Sequence, residues 1–527
     1  MKRPDIKKMS LKDKIDQTVV VLMSKGKKFD FCPGGAFFFG QIITEAEEAG
    51  LNELRGYVKD LTDNCHIPPM ITSDFENGCG SMVKSLTPLP YLMGLGATND
   101  HALAYNYGLA TAIEARSIGV NWSFSPVSDL NKNRRNPLVN VRALTDNAEL
   151  ASALLPQVIK GMQDGGIAAC SKHFPGDGMD YRDQHITTTV NSCSLNEWES
   201  TYGQVFKNVI ESDVYSVMAG HISLPSYSEA NGGNPELPAT LSPELITGLL
   251  KGKLGFKGIV VTDALGMGGF TGWYPTRETA EIQAFKAGCD MMLWPTENYR
   301  DNLEKAILSG EVPLERLDDA VNRILNVKEK LGLFEEGYSQ FRLIDTKEKE
   351  FIKQVQKECS EKSMTLIRDE LKHFPLSPQK TPKLGIIPIV EFEPAKKEAF
   401  RIKAYFEDRG FTVDYCENEL MNAQQRADFY ESNDLIIYLL LSRPFRPMGF
   451  LDYTADRAAQ LAAAFAPDNA VDKTVFVSLG SPYFGGQYLK HAKTYVNGYS
   501  MLGCAVEAFV RLACGETDFK GVSPVEL

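Results

Sequence analysis

The stretch GIAACSKHFPGDGMDYRDQH, residues 166–185, changes character at its middle. Through Phe174 it is apolar almost throughout, the pattern of a parallel strand covered on both faces. Beyond Phe174 it turns polar and broken. Gly176 and Gly178 flank Asp177, and glycine alone enters strained backbone regions freely. Pro175 biases Phe174 away from the α region, so no helix is expected to run through this segment. A buried strand opening into a tight polar loop is a unit of parallel α/β folds, whose chemistry sits at the carboxyl ends of strands.

The same reading recurs outward along the chain. GAFFFG (35–40), PPMITSD (68–74), VNWSFSP (120–126), VYSVMAGH (214–221), GIVVTDA (258–264) and CDMMLW (289–294) are further strands of this kind. Amphipathic segments separate them, among them NAELASALLPQVIKGMQDG (147–165) and TRETAEIQAFKAG (276–288). Seven β–α alternations, with an eighth that the pattern leaves undefined, predict an α/β fold: a (β/α)8 TIM-type barrel over residues 1–337. A doubly wound open sheet is the alternative, because a strand count does not prove closure.

Residues 338–382 read as a helical and linker segment. The charged stretch KEKEFIKQVQKECSEKSMTLIRD (347–369) predicts a helix, and LSPQKTPK (376–383) a linker. A smaller α/β layered C-terminal domain follows over 383–527. Its strands are KLGIIPIV (383–390), GFTVDYC (410–416), DLIIYLLLS (434–442) and KTVFVSLGSP (473–482), with helices such as YTADRAAQLAAAFA (453–466) between them.

The net charge of −12 argues against nucleic acid or an anionic membrane surface as partner, since either requires a basic face. No apolar run reaches the roughly 18–20 residues of a membrane helix, and the basic N-terminus MKRPDIKKMS lacks the apolar core of a secretory signal. Ten cysteines lie scattered with no C-x-x-C pair, which predicts thiols in a reducing, cytoplasmic compartment.

Polar residues cluster where the predicted strands end. PPMITSD ends in Asp74, with Glu76 just after; the next strand runs into Asp129 and then Arg142. Lys172 and His173 end the strand quoted first, His221 ends VYSVMAGH, and Asp263 ends GIVVTD before the small, flexible GMGG. Unpaired buried charge costs several kcal/mol per ion, so a rim with both signs fits a wet site or a polar ligand better than a packed interior. A structural charge network is the competing explanation. Lys172 and His173 supply donors suited to hydroxyl groups.

Asp183 and His185 are one residue apart, so in an extended segment both side chains project to one side. A carboxylate beside an imidazole fixes its tautomer and makes a proton available near neutral pH, which is a general acid. Asp263 is then a candidate nucleophile, and the two together suit the cleavage of an acetal. The plainer alternatives are a surface histidine bonded to its neighbour and an aspartate capping the next helix.

These motifs resemble those of glycoside hydrolase family 3, in particular its β-N-acetylglucosaminidase branch. The family's K-H-F-P-G-H-G…D-S-H loop stands here as KHFPGDGMDYRDQH, and its T-D-[AD]-L-x-M as TDALGM (262–267). FSPVSD (124–129), NPLVNVR (136–142), VMAGHISLP (217–225) and LPATLSPELITGLLKGKLGFKGIVVTD (237–263) also follow the family in order. Three departures stand out. DFENG (74–78) carries Asn77 where the family has glycine, CGSMVKS follows without the usual arginine, and Asp177 replaces a histidine.

The resemblance implies a retaining, exo-acting β-N-acetylhexosaminidase acting on small glycosides such as peptidoglycan fragments. It casts Asp263 as nucleophile, His185 as acid/base group and Asp183 as the group that orients it. Asp74, Arg142, Lys172 and His173 would hold sugar hydroxyls, and neither metal nor organic cofactor is expected. A phosphorylase on the same site, a β-glucosidase, and a sugar-binding barrel without turnover are the alternatives.

Overall fold

The structure, a computed structural model, describes residues 2–45, 47–390, 393–416, 421–443, 459, 461–465, 470–483 and 488–527. The chain forms two compact units. One comprises Met1–Leu89, His101–Val139 and Asn147–Lys353; the other comprises Pro90–Asp100, Asn140–Asp146 and Gln354–Leu527.

The first unit is built on eight short strands: β1 (Val19–Leu22), β2 (Gly35–Phe37), β3 (Met70–Ser73), β4 (Trp122–Ser123), β5 (Cys170–Phe174), β6 (Ser216–Ala219), β7 (Ile259–Thr262) and β8 (Met292–Leu293). β1 through β4 pair in sequence, and β5 pairs with β6 and β6 with β7, all in parallel. Parallel bridges Trp122↔Ala168 and Val127↔Lys172 join β4 to β5, and Val261↔Met291 joins β7 to β8. β8 returns to β1 through Val19↔Met292 and Val20↔Leu293. The ring therefore closes, which excludes the open doubly wound sheet.

The undefined eighth strand is β1, the VVVL of residues 19–22. It follows the helix Leu11–Gln17 after a single residue, so its period is masked by the helix before it. Three consecutive β-branched valines favour the extended form there. Side chains from around the ring fill the barrel: Val20, Phe37, Met70, Trp122, Phe124, Cys170, Met218, Val261 and Leu293 belong to one buried cluster. Trp122 packs edge-on against Phe124 at 4.8 Å, and its indole N–H donates to Ser216 Oγ at 2.8 Å. A buried indole needs such an acceptor.

The two amphipathic segments form helices with the ends their sequences signal. Ala148–Asp164 starts at Asn147, whose side chain accepts from the backbone N–H groups of Glu149 and Leu150. Arg277–Ala287 starts at Thr276 and stops at Gly288, whose φ of 124° a side chain would resist.

In the second unit, β9 (Thr365–Asp369), β10 (Lys383–Val390), β11 (Thr412–Tyr415), β12 (Leu435–Ser442), β13 (Thr474–Gly480) and β14 (Thr494–Asn497) form one sheet in the order β9-β14-β13-β12-β10-β11. Only β9 runs antiparallel to its neighbour. The predicted helix over 347–369 is shorter than expected: it spans Thr346–Ser363, and TLIRD becomes β9. Alternation along β10, β12 and β13 feeds two cores, with Ile386, Ile437 and Val475 on one face and Ile387, Ile436 and Phe476 on the other. Most of the predicted helix over 453–466 lies outside the described residues.

Candidate active site

Strand β5 ends in Lys172, His173 and Phe174, and the first two aim at different partners. Lys172 Nζ lies 2.8 Å from Asp74 Oδ1 and 2.7 Å from Glu76 Oε1, with its side chain only 3% exposed. Asp74 and Glu76 follow β3, so one ammonium ties two strand ends. His173 is held by Asp129, which comes after β4. Asp129 Oδ2 lies 2.7 Å from His173 Nδ1, and its Oδ1 accepts from the backbone N–H groups of His173 at 3.0 Å and Asp177 at 2.7 Å. The Lys172–His173 peptide is cis, as are Ser125–Pro126 and Phe174–Pro175.

The glycines of the following loop are required by space as well as by backbone angle. Gly176 has φ 117° and Gly178 φ 100°. A Cβ on Gly176 would sit 2.1 Å from the Tyr202 ring, and one on Gly178 would sit 1.9 Å from the carbonyl oxygen of Leu130. The loop is thereby pressed onto its supports.

Asp183 and His185 meet through a turn, not along an extended segment. The backbone N–H groups of Ile186 and Thr187 donate to the Asp183 carbonyl at 2.9 and 3.1 Å. Asp183 Oδ1 accepts from the His185 backbone N–H at 2.8 Å and lies 2.7 Å from His185 Nδ1. Asp183 is buried, whereas the His185 side chain is 30% exposed. With Nδ1 engaged by the carboxylate, Nε2 is the ring nitrogen left to exchange a proton with a ligand. Between them, Gln184 is buried and its Oε1 accepts from the backbone N–H of His221 at 3.0 Å, which ties the loop to the end of β6.

Asp263 follows β7 directly. Its Oδ1 accepts from the Ala264 backbone N–H at 2.7 Å, and its Oδ2 lies 3.9 Å from His173 Nε2. It does not cap the next helix, Gly268–Thr271, whose preceding residue is Met267. Burial alone would raise its pKa, but the charges of His173, His221 and His185, with the Ala264 bond, hold the carboxyl down to about 2. That depression favours an ionised carboxylate, with the His173 imidazole beside it.

The segment expected to be flexible, GMGG, instead joins the two loops closely. The backbone N–H of Gly268 donates to the His185 carbonyl at 2.9 Å and that of Gly269 to the Gln184 carbonyl at 3.1 Å. A Cβ on Gly268 would lie 2.2 Å from the Ile186 carbonyl oxygen, so only glycine permits this approach. The residues after β7 and the Asp183–His185 turn are thus held against one another.

His221 was visible at a strand end but carried no assigned role. It is fully buried, with Nδ1 2.9 Å from Thr240 Oγ1 and Nε2 3.1 Å from the Ala264 carbonyl oxygen. Burial lowers its pKa, partly offset by Asp263. Glu76 and Asp129 also stood at strand ends without a role, and they hold Lys172 and His173. Arg142 is buried in the short turn Asn140–Arg142, which belongs to the second unit. Among the described residues no three His, Cys, Asp or Glu side chains form a metal-holding group, and no helix is long and apolar enough to cross a membrane.

A closed parallel barrel with a histidine- and carboxylate-lined rim at its strand ends defines the class, and comparison with known proteins defines the family. The model of the glycosyl hydrolase family 3 N terminal domain matches residues 32–327. A β-N-acetylglucosaminidase/β-glucosidase of Cellulomonas fimi is 31% identical over 500 residues, covering 89% of this chain and 85% of that protein. Among solved structures, a β-glucoside phosphorylase, BglX, bound to 2FGlc is 28% identical with a TM-score of 0.87, covering 99% of this chain and 95% of that one. A glycoside hydrolase family 3 β-N-acetylglucosaminidase from Paenibacillus sp. str. FPU-7 is 27% identical with a TM-score of 0.82, covering 98% of this chain and 99% of that one. The chain belongs to glycoside hydrolase family 3. It is a glycoside hydrolase, and its substrate is a carbohydrate.

Proposed function

We propose that the protein is a retaining, exo-acting β-N-acetylhexosaminidase that releases terminal N-acetylglucosamine from small glycosides such as peptidoglycan fragments. The observation that carries this reading is the ionised Asp263, 3.9 Å from His173 and within the electrostatic reach of His185, whose ring is fixed by Asp183. In the first step Asp263 attacks the anomeric carbon, the glycosidic C–O bond breaks, and the departing oxygen takes a proton from His185 Nε2. In the second, His185 removes a proton from water, whose oxygen displaces Asp263 from the anomeric carbon. Two displacements give retention. Asp74, Lys172 and His173, all in the first unit, are assigned to the sugar hydroxyls. A cytoplasmic location is part of the same proposal; fractionation against secreted markers tests it.

Aryl N-acetylglucosaminides and aryl glucosides assayed in parallel test the sugar, and activity on the glucoside alone would overturn the assignment. Asp263→Ala abolishes turnover on both; near-wild-type rates on a good leaving group would remove Asp263 from the nucleophile's role. For His185→Ala the loss on alkyl or sugar leaving groups exceeds the loss on nitrophenolate, because only the former need protonation. Equal losses would count against acid catalysis.

The likeness to a β-glucoside phosphorylase supports a second reading, in which phosphate replaces water as acceptor. A histidine acid/base repels an incoming anion less than a carboxylate would. Release of sugar 1-phosphate in the presence of phosphate, and of free sugar without it, separates the two.

A further inference from the structure

The loop after β5 buries a carboxyl that the proposed chemistry leaves unused. Asp177 is 2% exposed. Its Oδ1 accepts from Asn136 Nδ2 at 2.9 Å and from the Gly178 backbone N–H at 2.6 Å. Its Oδ2 is buried with no hydrogen-bond partner. Its backbone N–H donates to the same Asp129 oxygen that receives the His173 N–H, and the two buried carboxyls lie within electrostatic reach of one another. An ionised carboxylate with a buried oxygen that no protein group bonds, next to another carboxylate, is strongly disfavoured, whereas a carboxylic acid tolerates that place.

Taking the glycosidase reading above as its basis, we propose that Asp177 is a positioning residue, carried as an un-ionised carboxylic acid so that Asp129 holds the single buried charge that fixes His173 beside Asp263. The charged and titratable groups facing it are Asp129 from the segment after β4, His173 from β5, and Tyr202, whose ring packs on Gly176 at the start of the helix Tyr202–Glu211. Asp180 is engaged elsewhere, by Arg182 and the Val190 N–H. Burial first, and then the charge of Asp129, raise the Asp177 carboxyl to about 7, against the opposing effect of His173. Ionisation at higher pH sets a second negative charge against Asp129 and loosens its hold on His173.

Three variants test this. In Asp177→Ala the support is lost and kcat falls by about tenfold or more, while Asp177→Asn, which keeps a neutral group of the same shape, restores most of it. In Asp177→Asn the alkaline limb of the kcat/KM profile moves up by about one pH unit or more, because the ionisation that limits the wild type is gone. Identical alkaline limbs in wild type and Asp177→Asn would overturn the proposal.

A readout free of substrate separates this from the choice of activity. The infrared carbonyl band of a protonated carboxylic acid, recorded near pH 6, contains Asp177 in the wild type and loses it in Asp177→Asn. Glu114 is the other buried carboxyl pushed up to about 7, so Glu114→Gln is measured beside it. Glu281 and Asp16 are also raised by burial, so a carboxylic acid band that survives Glu114→Gln, Glu281→Gln and Asp16→Asn combined supports the assignment even if Asp177→Asn fails to fold. A band lost entirely in that combined variant overturns it, whether or not any glycoside is cleaved.

Discussion

Asp129 accepts from two backbone N–H groups as well as lying against His173 Nδ1, and all three partners are buried. Asp129→Ala strands those groups, and each unmade buried bond costs about 1–3 kcal/mol. Urea unfolding is expected to show a loss of about 3–5 kcal/mol, large for a polar-to-alanine change. Asp263 makes a pH prediction. Its folded pKa is depressed to about 2. Its contribution to stability is therefore present above the unfolded value near about 4 and is lost as pH falls through the folded one. Acid unfolding of the wild type consequently falls more steeply between about pH 4 and pH 2 than that of Asp263→Asn. At this scale the sequence was partly legible. Asp183 and His185 are neighbours in the chain, so their pairing could be read locally, whereas Asp129 and His173 are far apart and nothing in either segment points to the other.

Elements carry the second lesson, that glycines here are spatial requirements. Gly178 has φ 100° and faces the Leu130 carbonyl, a backbone atom that cannot rotate away. Gly178→Ala is expected to lower stability by about 2–4 kcal/mol and to reduce activity through the displaced loop, measured by thermal melting and kcat/KM. A variant melting within a degree of wild type would show that the loop relaxes. The tightness of the 176–178 loop was legible, because Gly-Asp-Gly after proline demands irregular backbone. The contact between GMGG and the Asp183–His185 turn was not, since glycine signals both freedom and close approach and only the neighbour decides. β1 escaped for a related reason: four residues beside a helix offer too short a period to register.

At the scale of the molecule, the parallel barrel and the smaller α/β domain were legible because buried strands are apolar throughout and recur between amphipathic helices, whereas the antiparallel strand Thr365–Asp369 was hidden in a stretch read as helix. Closure was not legible either, as it depends on which strands pair. The closed ring rests on its own base as well. Lys328 from the helix Leu314–Lys330 is fully buried and donates to Gln17 Oε1 at 2.6 Å, just ahead of β1. Burial lowers its pKa to about 7. Between that value and the unfolded one near about 10.4 the unfolded chain binds the extra proton, so this lysine makes stability rise with pH across that window. Lys328→Met is expected to flatten that rise in melts taken from about pH 7 to pH 9, and an unchanged slope would assign it elsewhere.

The pairing of Val19 with Met292 has a consequence for synthesis. The first strand of the barrel waits for its last, so one side of β1 stays an unsatisfied edge while some 270 further residues are translated. Nascent chains stalled before Met292 should therefore recruit holding chaperones more strongly than the full-length chain does.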